Sequence, residues 1–171
     1  MSYSDTPGVS VSLCFPPVTD ERTRVLVLGS LPGVASLTAG QYYAHPRNQF
    51  WRILGDIVGV QLSALCYAER LDAMLEAGVG LWDVVASAQR KGSLDVAMRE
   101  IIYNDLRLHV AALPSLRAIA FNGTASGRAR RLLADTTHAL LQLPSTSPAM
   151  TLRYADKLTA WLEIRQYLSI R

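Results

Sequence analysis

Cysteine, lysine and histidine are all scarce in this chain of 171 residues. Cys14 and Cys66 lie far apart and in no motif, so they cannot alone hold zinc or an iron–sulfur cluster, and they suggest no disulfide framework. No group of His, Cys and acidic residues stands at metal-ligand spacing, so neither metal nor cofactor is expected. Long apolar runs are missing too. No stretch approaches the length of a membrane span, and Met1-Ser-Tyr-Ser-Asp5 lacks the basic and apolar parts of a signal segment. The expectation is a soluble, cytoplasmic protein without a membrane partner. Several phosphate and nucleophile motifs are absent as well. Gly29-Ser-Leu-Pro-Gly33 does not have the glycine spacing of the dinucleotide fingerprint, and there is no P-loop. Gly123-Thr-Ala-Ser-Gly127 comes near a nucleophile elbow, but its Ser126 is fourth where the elbow needs it third, which argues against a serine hydrolase.

Half the residues are hydrophobic, enough for a packed globular core, and the length suits one domain over 1–171. The net charge of +3 permits a polyanion partner without requiring one. Residues 1 to 20 carry Pro7, Gly8, Pro16 and Pro17 and no sustained period, so they read as an irregular arm. Arg24-Val-Leu-Val-Leu-Gly-Ser30 is a continuous apolar run, the pattern of a strand covered on both faces. Phe50, Trp51, Ile53, Leu54, Ile57 and Val58 recur at helical spacing up to Gly59, and a second helix is expected over Tyr67 to Glu76. Gly78 to Val85, Arg117 to Phe121 and His138 to Leu143 read as further strands. Helices are expected from the Asn104 cap through Leu113, over Ala125 to Ala134, and over about Thr151 to Ser169. Neither repeats nor linkers interrupt the chain, and His109 and His138 read as structural.

Strands alternating with helices predict a parallel sheet with helices on both faces. Ligands of such sheets bind outside the carboxyl ends of the strands. Three unusual polar stretches follow strands here: Gly29 to Asn48, the segment from Asn122, and Pro144 to Pro148. They are therefore expected to meet at one end of the sheet. Glycines in the first let backbone approach a ligand closely. Gln41-Tyr-Tyr-Ala-His-Pro-Arg-Asn-Gln-Phe-Trp51 is the richest of the three stretches. It offers stacking rings, an anion-binding Arg47, and the donor and acceptor of Asn48. A plainer reading makes Asn48 a helix cap and Pro46 a turn residue. Two amides, stacking rings and Ser-rich loops suit a base drawn out of a nucleic acid. Rings hold its face, an amide reads its N–H and carbonyl edge, and hydroxyls and backbone N–H groups hold phosphates.

These residues carry a resemblance. Gly29-Ser-Leu-Pro-Gly33, Gln41 to Trp51, Leu81-Trp-Asp-Val-Val85, Phe121-Asn-Gly123 and Leu143-Pro-Ser-Thr-Ser-Pro-Ala149 resemble the uracil-DNA glycosylase superfamily, most closely its hypoxanthine-DNA (deoxyinosine) glycosylase branch, over about residues 15 to 165. The resemblance implies an α/β fold, a three-layer α/β/α sandwich around a central, mainly parallel four-stranded sheet. It implies a monofunctional glycosylase that hydrolyses the N-glycosidic bond of a deaminated base (hypoxanthine, uracil or xanthine) flipped out of DNA. Asn48 and Asn122 match the catalytic amides. Tyr43 matches the ring that stacks on the base, with Gly29, Ser30, Leu31, Pro32, Gly33 and His45 around it. Arg47, Pro144, Ser145, Thr146, Ser147 and Met150 fall where DNA is gripped. The relatives commonly carry asparagine where this chain has Met150. Implied partners are damaged DNA only, bound by a monomer of bacterial type that reaches the nucleoid through that DNA. The alternative is a DNA- or nucleotide-binding domain of the same fold without catalysis.

Overall fold

In the computed structural model, which describes residues 10–168, every residue of strand β2 (Val25–Gly29) is buried. Side chains alternate across a strand, so Val25 and Val27 enter one hydrophobic cluster while Leu26 and Leu28 enter another on the opposite face. Strands β3 (Val79–Asp83) and β6 (Ala118–Asn122) flank β2, and β7 (Ala139–Leu143) follows β6. The order is β3-β2-β6-β7, and every pairing in this sheet is parallel. Helices α2 (Phe50–Val58), α3 (Tyr67–Glu76) and α6 (Tyr154–Trp161) contribute to the first cluster through Phe50, Met74 and Trp161. Helix α4 (Leu106–Ala111) and the 3₁₀ segment Arg128–Leu133 contribute to the second. The architecture is the expected three-layer α/β/α sandwich.

Helix α2 follows directly from its sequence. Phe50, Trp51, Ile53, Leu54 and Ile57 are all buried at helical spacing, and Gly59 closes the helix in the left-handed region at φ 76°. A short helix α1 (Val34–Ala39) follows the Gly29–Gly33 turn, in a stretch with no helical period to announce it.

Several boundaries depart from expectation. Within residues 1–20, read as an irregular arm, Ser10–Leu13 forms strand β1; residues 1–9 lie outside those described. Strand β1 joins β4 (Val85–Arg90) and β5 (Arg99–Tyr103) in a second, antiparallel sheet of order β1-β4-β5. Strand β5 is largely exposed, so it shows no apolar alternation. The run Gly78 to Val85, read as one strand, divides at a bend at Val84: β3 pairs with β2, and β4 with β1 and β5. Asn104 is not a helix cap. Asp105 takes that place, its carboxylate accepting from Leu108 N–H at 3.0 Å, while Asn104 Nδ2 donates to the Asp83 carbonyl at 2.8 Å. Two expected long helices are shorter: α5 (Thr124–Gly127) and α6 each give way to a 3₁₀ segment, Arg128–Leu133 and Leu162–Tyr167. No helix among the described residues is long and apolar enough to cross a membrane.

Candidate active site

In the sheet order β3-β2-β6-β7, the connection from β2 runs toward β3 and that from β6 toward β7, in opposite directions, which opens a crevice beyond the carboxyl ends of β2 and β6. Register fixes what stands there. Gly29 pairs with Asp83, Asn122 pairs with Leu143, and Leu28 pairs with Phe121 one step earlier. The last residues of all four strands therefore form a row. Above it the Gly29–Gly33 turn, the Tyr42–Asn48 segment and the Ser145–Pro148 loop enclose a cavity of about 170 Å³.

Asn48 and Asn122 both line this cavity, as do Gly29, Ser30, Leu31, Pro32, Gly33, Tyr43 and His45. Of the expected DNA-gripping residues, Ser145, Thr146 and Ser147 line it, while Arg47, Pro144 and Met150 do not. Arg47 is exposed. The Pro144 carbonyl accepts from the Trp161 indole at 2.9 Å, which ties the start of its loop to the core. Met150 is 38 % exposed at the loop's far end, where its carbonyl accepts from Lys157 Nζ at 2.8 Å.

The two amides are held differently. Asn122 is buried and held by three hydrogen bonds: Nδ2 donates to Tyr43 Oη at 3.1 Å and to Thr146 Oγ1 at 3.0 Å, and Oδ1 accepts from Thr146 N–H at 3.0 Å. Asn48 is half-buried. Its one side-chain hydrogen bond among the described residues is accepted by Oδ1 from Phe50 N–H at 3.0 Å, an Asx-type turn leading into α2. Gln49 occupies the cap position itself and makes no capping bond. The Asn48 side chain thus has one structural bond and unspent hydrogen-bonding capacity beside the cavity.

Tyr43 links these parts. Its backbone sits at φ 54°, a left-handed conformation that costs a non-glycine residue energy and persists only where neighbours impose it. Those neighbours are Phe50, stacked on its ring at 4.2 Å between centroids, and Asn122 at its hydroxyl. Tyr42, next to it, is buried, with its hydroxyl donating to the Pro16 carbonyl at 2.9 Å and its own carbonyl accepting from Trp51 Nε1 at 3.1 Å. Burial pushes the Tyr43 phenol far above its ordinary range, so it stays neutral. His45 Nδ1 accepts from the Arg47 amide at 3.1 Å, which leaves the proton of the neutral ring on Nε2.

A charged network under the turn was not read from the sequence. Ser30 Oγ donates to Asp95 Oδ1 at 2.7 Å, and the buried Arg90 guanidinium donates to the Pro32 carbonyl and lies 3.6 Å from Asp95. Asp83 and Asp95 both line the cavity. Burial raises the pKa of each; Arg90 opposes the shift at both, and the Ser30 hydrogen bond opposes it at Asp95. For Asp83 one signal was available: it is the only charged residue in the apolar run Gly78 to Val85, and an acid there must be buried with a purpose or a partner. Arg90 and Asp95 sit in a polar stretch and stood out by nothing. Among the described residues, no group of three or more His, Cys, Asp or Glu side chains forms a metal site.

Comparison with known proteins identifies the family. The family model described as the uracil DNA glycosylase superfamily matches residues 16–169. A hypoxanthine DNA glycosylase of Methanosarcina barkeri is 38% identical over 149 residues, covering 87% of this chain and 94% of the relative. Another, from Methanosarcina acetivorans, is 38% identical over 135 residues, covering 79% of this chain and 85% of the relative. The solution NMR structure of a candidate uracil DNA glycosylase from M. acetivorans superposes with a TM-score of 0.84 at 34% identity, covering 92% of this chain and 98% of that one. With residues 16–169 matched by the family model and 92% of its length covered by a solved structure of the same fold, the chain belongs to the uracil DNA glycosylase superfamily.

Proposed function

We infer that this protein is a monofunctional DNA glycosylase that hydrolyses the N-glycosidic bond of a deaminated base, hypoxanthine foremost, after the nucleotide has turned out of the helix. The observation that carries this reading is the meeting of Asn48, Asn122 and Tyr43 at one cavity beyond the switch point of the sheet. Turning the base out costs a few kcal/mol, and a ring backed by Phe50 offers a stacking surface in return. Cleavage places positive charge on the sugar and negative charge on the departing base. Fixed dipoles beside that base lower the barrier because they need no reorganisation. Asn48 is suited to orient the attacking water, since its amide is not consumed by the protein. Asn122 holds Tyr43 and Thr146; to donate to the base it has to give up one of its Nδ2 bonds, while Oδ1 keeps a second lone pair. The 38% identity to proteins named hypoxanthine DNA glycosylases favours hypoxanthine among the deaminated bases.

The test is a panel of oligonucleotides, each carrying one hypoxanthine, uracil or xanthine, scored for abasic sites. Hypoxanthine is expected to be excised fastest. Binding of every oligonucleotide without any abasic product would leave a DNA-binding domain of the same fold.

Affinity for DNA is expected to fall with salt, because each phosphate contact releases counterions, with a slope of about 0.9 per contact in log–log form. Arg47, Arg128 and Arg130 are exposed and available for such contacts. Arg47→Ala should lower the slope by about one, and affinity that does not change between low and moderate salt would rule the phosphate contacts out.

Excision is also expected to proceed at full rate in EDTA, since the donor set for a metal is missing from the sequence. Borohydride should trap no protein–DNA adduct. Lys91 is exposed and Lys157 is committed to the Met150 carbonyl, and neither lines the cavity. A rate lost in EDTA and restored by zinc or magnesium, or a trapped adduct, would show different chemistry.

A further inference from the structure

We propose that the tip of the β4–β5 hairpin, Lys91 to Val96, is a second DNA-gripping element, with Leu94 and Val96 packing on the base pair beside the everted nucleotide. The proposal rests on the glycosylase reading and deepens it. Topology sets the position of the tip. Strands β3 and β7 are the two edges of the parallel sheet. The chain leaves β3 into the hairpin and leaves β7 into the Ser145–Pro148 loop. Both connections line the cavity, the hairpin through Ser93 and Asp95. The cavity mouth therefore lies between them. Three strand spacings of about 4.8 Å put the sheet edges about 14 Å apart. That is the length of roughly four nucleotides along a duplex at about 3.4 Å each. DNA that reaches the cavity past the Ser145–Pro148 loop on one side meets the hairpin on the other.

The tip presents apolar groups to a partner. Leu94 is 59 % exposed and Val96 77 % exposed. Asp95 between them turns into the cavity, where its carboxyl accepts from Ser30 Oγ at 2.7 Å. Val34, whose amide donates to Ser93 Oγ at 2.8 Å, adds a third exposed apolar side chain next to the tip. Single apolar residues on a surface need no explanation, but a group of them at the mouth of a site marks a contact. The tip is also anchored. The Ala97 and Met98 amides close a turn onto the Leu94 and Asp95 carbonyls. Arg99 Nη1 donates to the Val96 and Met98 carbonyls at 3.2 and 2.9 Å, and Met98 is buried in the second cluster. A partner therefore finds these side chains in place and orders little on binding. Charge selects the class of partner. Lys91 is exposed on the tip, and Arg128 is exposed at the end of α5. Burial raises the Asp95 pKa, and Ser30, Arg90 and Arg128 oppose the shift, which places Arg128 on the hairpin's side of the mouth. Cations beside apolar side chains match phosphates beside base edges. A hydrophobic protein surface would have to bury both cations at a cost.

The experiment compares a duplex carrying one deoxyinosine with the same strand alone, for wild type, the double variant Leu94→Ser/Val96→Ser, Leu94→Met and Leu108→Ser. Leu108 is 71 % exposed on α4 and does not line the cavity, so it controls for the loss of an exposed apolar side chain. Affinity is read by fluorescence anisotropy, and excision by the enzyme concentration that gives half the maximal single-turnover rate. For the double serine variant both should worsen about tenfold on the duplex, the worth of part of the area of two apolar side chains. On the single strand, which has no closed base pair beside the lesion, both should stay within about twofold. Leu94→Met keeps an apolar side chain and should match wild type, as should Leu108→Ser. Melting temperatures should be equal throughout, because the exchanged side chains are exposed. A double serine variant that binds and excises from the duplex like wild type, equal losses on duplex and single strand, or a like loss in Leu108→Ser would each overturn the proposal. Wild-type protein that binds the duplex and makes no abasic sites would overturn the glycosylase reading instead, with the hairpin still judged by anisotropy.

Discussion

Asn122→Ala is expected to lower both stability and excision, and Asn122→Asp to separate the two effects. Alanine deletes three hydrogen bonds at once and leaves the buried Thr146 N–H without an acceptor. An unsatisfied buried group of this kind costs about 1–3 kcal/mol. The loss falls on two parts of the site, because the same amide holds the Tyr43 hydroxyl and the loop from Pro144 to Pro148. Displacement of positioning groups by about 1 Å can cost on the order of 10²-fold in rate, and that is the size of the loss expected. Asparagine to aspartate keeps an acceptor for Thr146 N–H, and the Tyr43 and Thr146 hydroxyls can turn to donate to the second oxygen. The fold and the ring position should therefore survive. A carboxylate in that place adds negative charge next to a leaving group that is itself becoming negative, so excision should still be slow. The measurements are thermal melting and single-turnover excision of deoxyinosine. An Asn122→Ala protein that melts and excises like wild type would remove Asn122 from both roles.

The parallel sheet was legible because its strands are written as apolar runs. Val25 to Leu28 cannot face water on either side, and a strand of that kind has to be covered by helices on both. Helix α2 was legible for the related reason that five buried side chains recur at one period and a glycine closes the end. The second sheet was not legible. Strand β1 alternates over only four residues, Ser10-Val-Ser-Leu13, and with Val11 and Leu13 exposed, while β5 has no fully buried residue and no alternation, so neither stood out as a half-buried strand. The late helices were read too long because sequence periodicity does not distinguish an α-helical turn from a 3₁₀ turn. The charged edge of Arg128–Leu133 looks the same in either.

The cavity was legible to the extent that its parts are loops after strands. Gly29 to Gly33, Asn122 and Ser145 to Ser147 each follow a strand's carboxyl end, and topology alone brings them together. What the sequence could not convey is how each amide is used. Nothing in Phe121-Asn-Gly123 says that the asparagine makes three side-chain hydrogen bonds, because its partners Tyr43 and Thr146 are 79 and 24 residues away. Nor does the sequence say that Gly29 is glycine because Asp83 and the Tyr43 hydroxyl crowd the place of a side chain. Both facts come from register between strands, which a single sequence leaves open.

Asn48→Ser is expected to cost on the order of 10²-fold or more in single-turnover rate, by analogy with deletion of one preorganised polar group, while leaving the fold nearly unchanged. The structure gives Asn48 a local duty, since its Oδ1 accepts from the Phe50 amide at the entry to α2. A serine hydroxyl in the same place can take over that bond, as serine and aspartate do in comparable turns. What serine cannot restore is the amide beside the cavity, to which we assign the orienting of water. A purely structural Asn48 therefore predicts a Ser variant with wild-type rate. A water-orienting Asn48 predicts a folded and nearly inactive one. Asn48→Ala should add a stability loss of about 1 kcal/mol from the missing local bond, with a rate no better than that of the Ser variant. Asn48→Asp is less decisive, because a carboxylate can also hold water. The losses at Asn48 and Asn122 need not add, since groups that serve one step fail together. Melting curves for each variant separate unfolded protein from slow enzyme. A well-folded Asn48→Ser protein that excises deoxyinosine at the wild-type rate would leave the superfamily fold in place and take this chemistry away from Asn48.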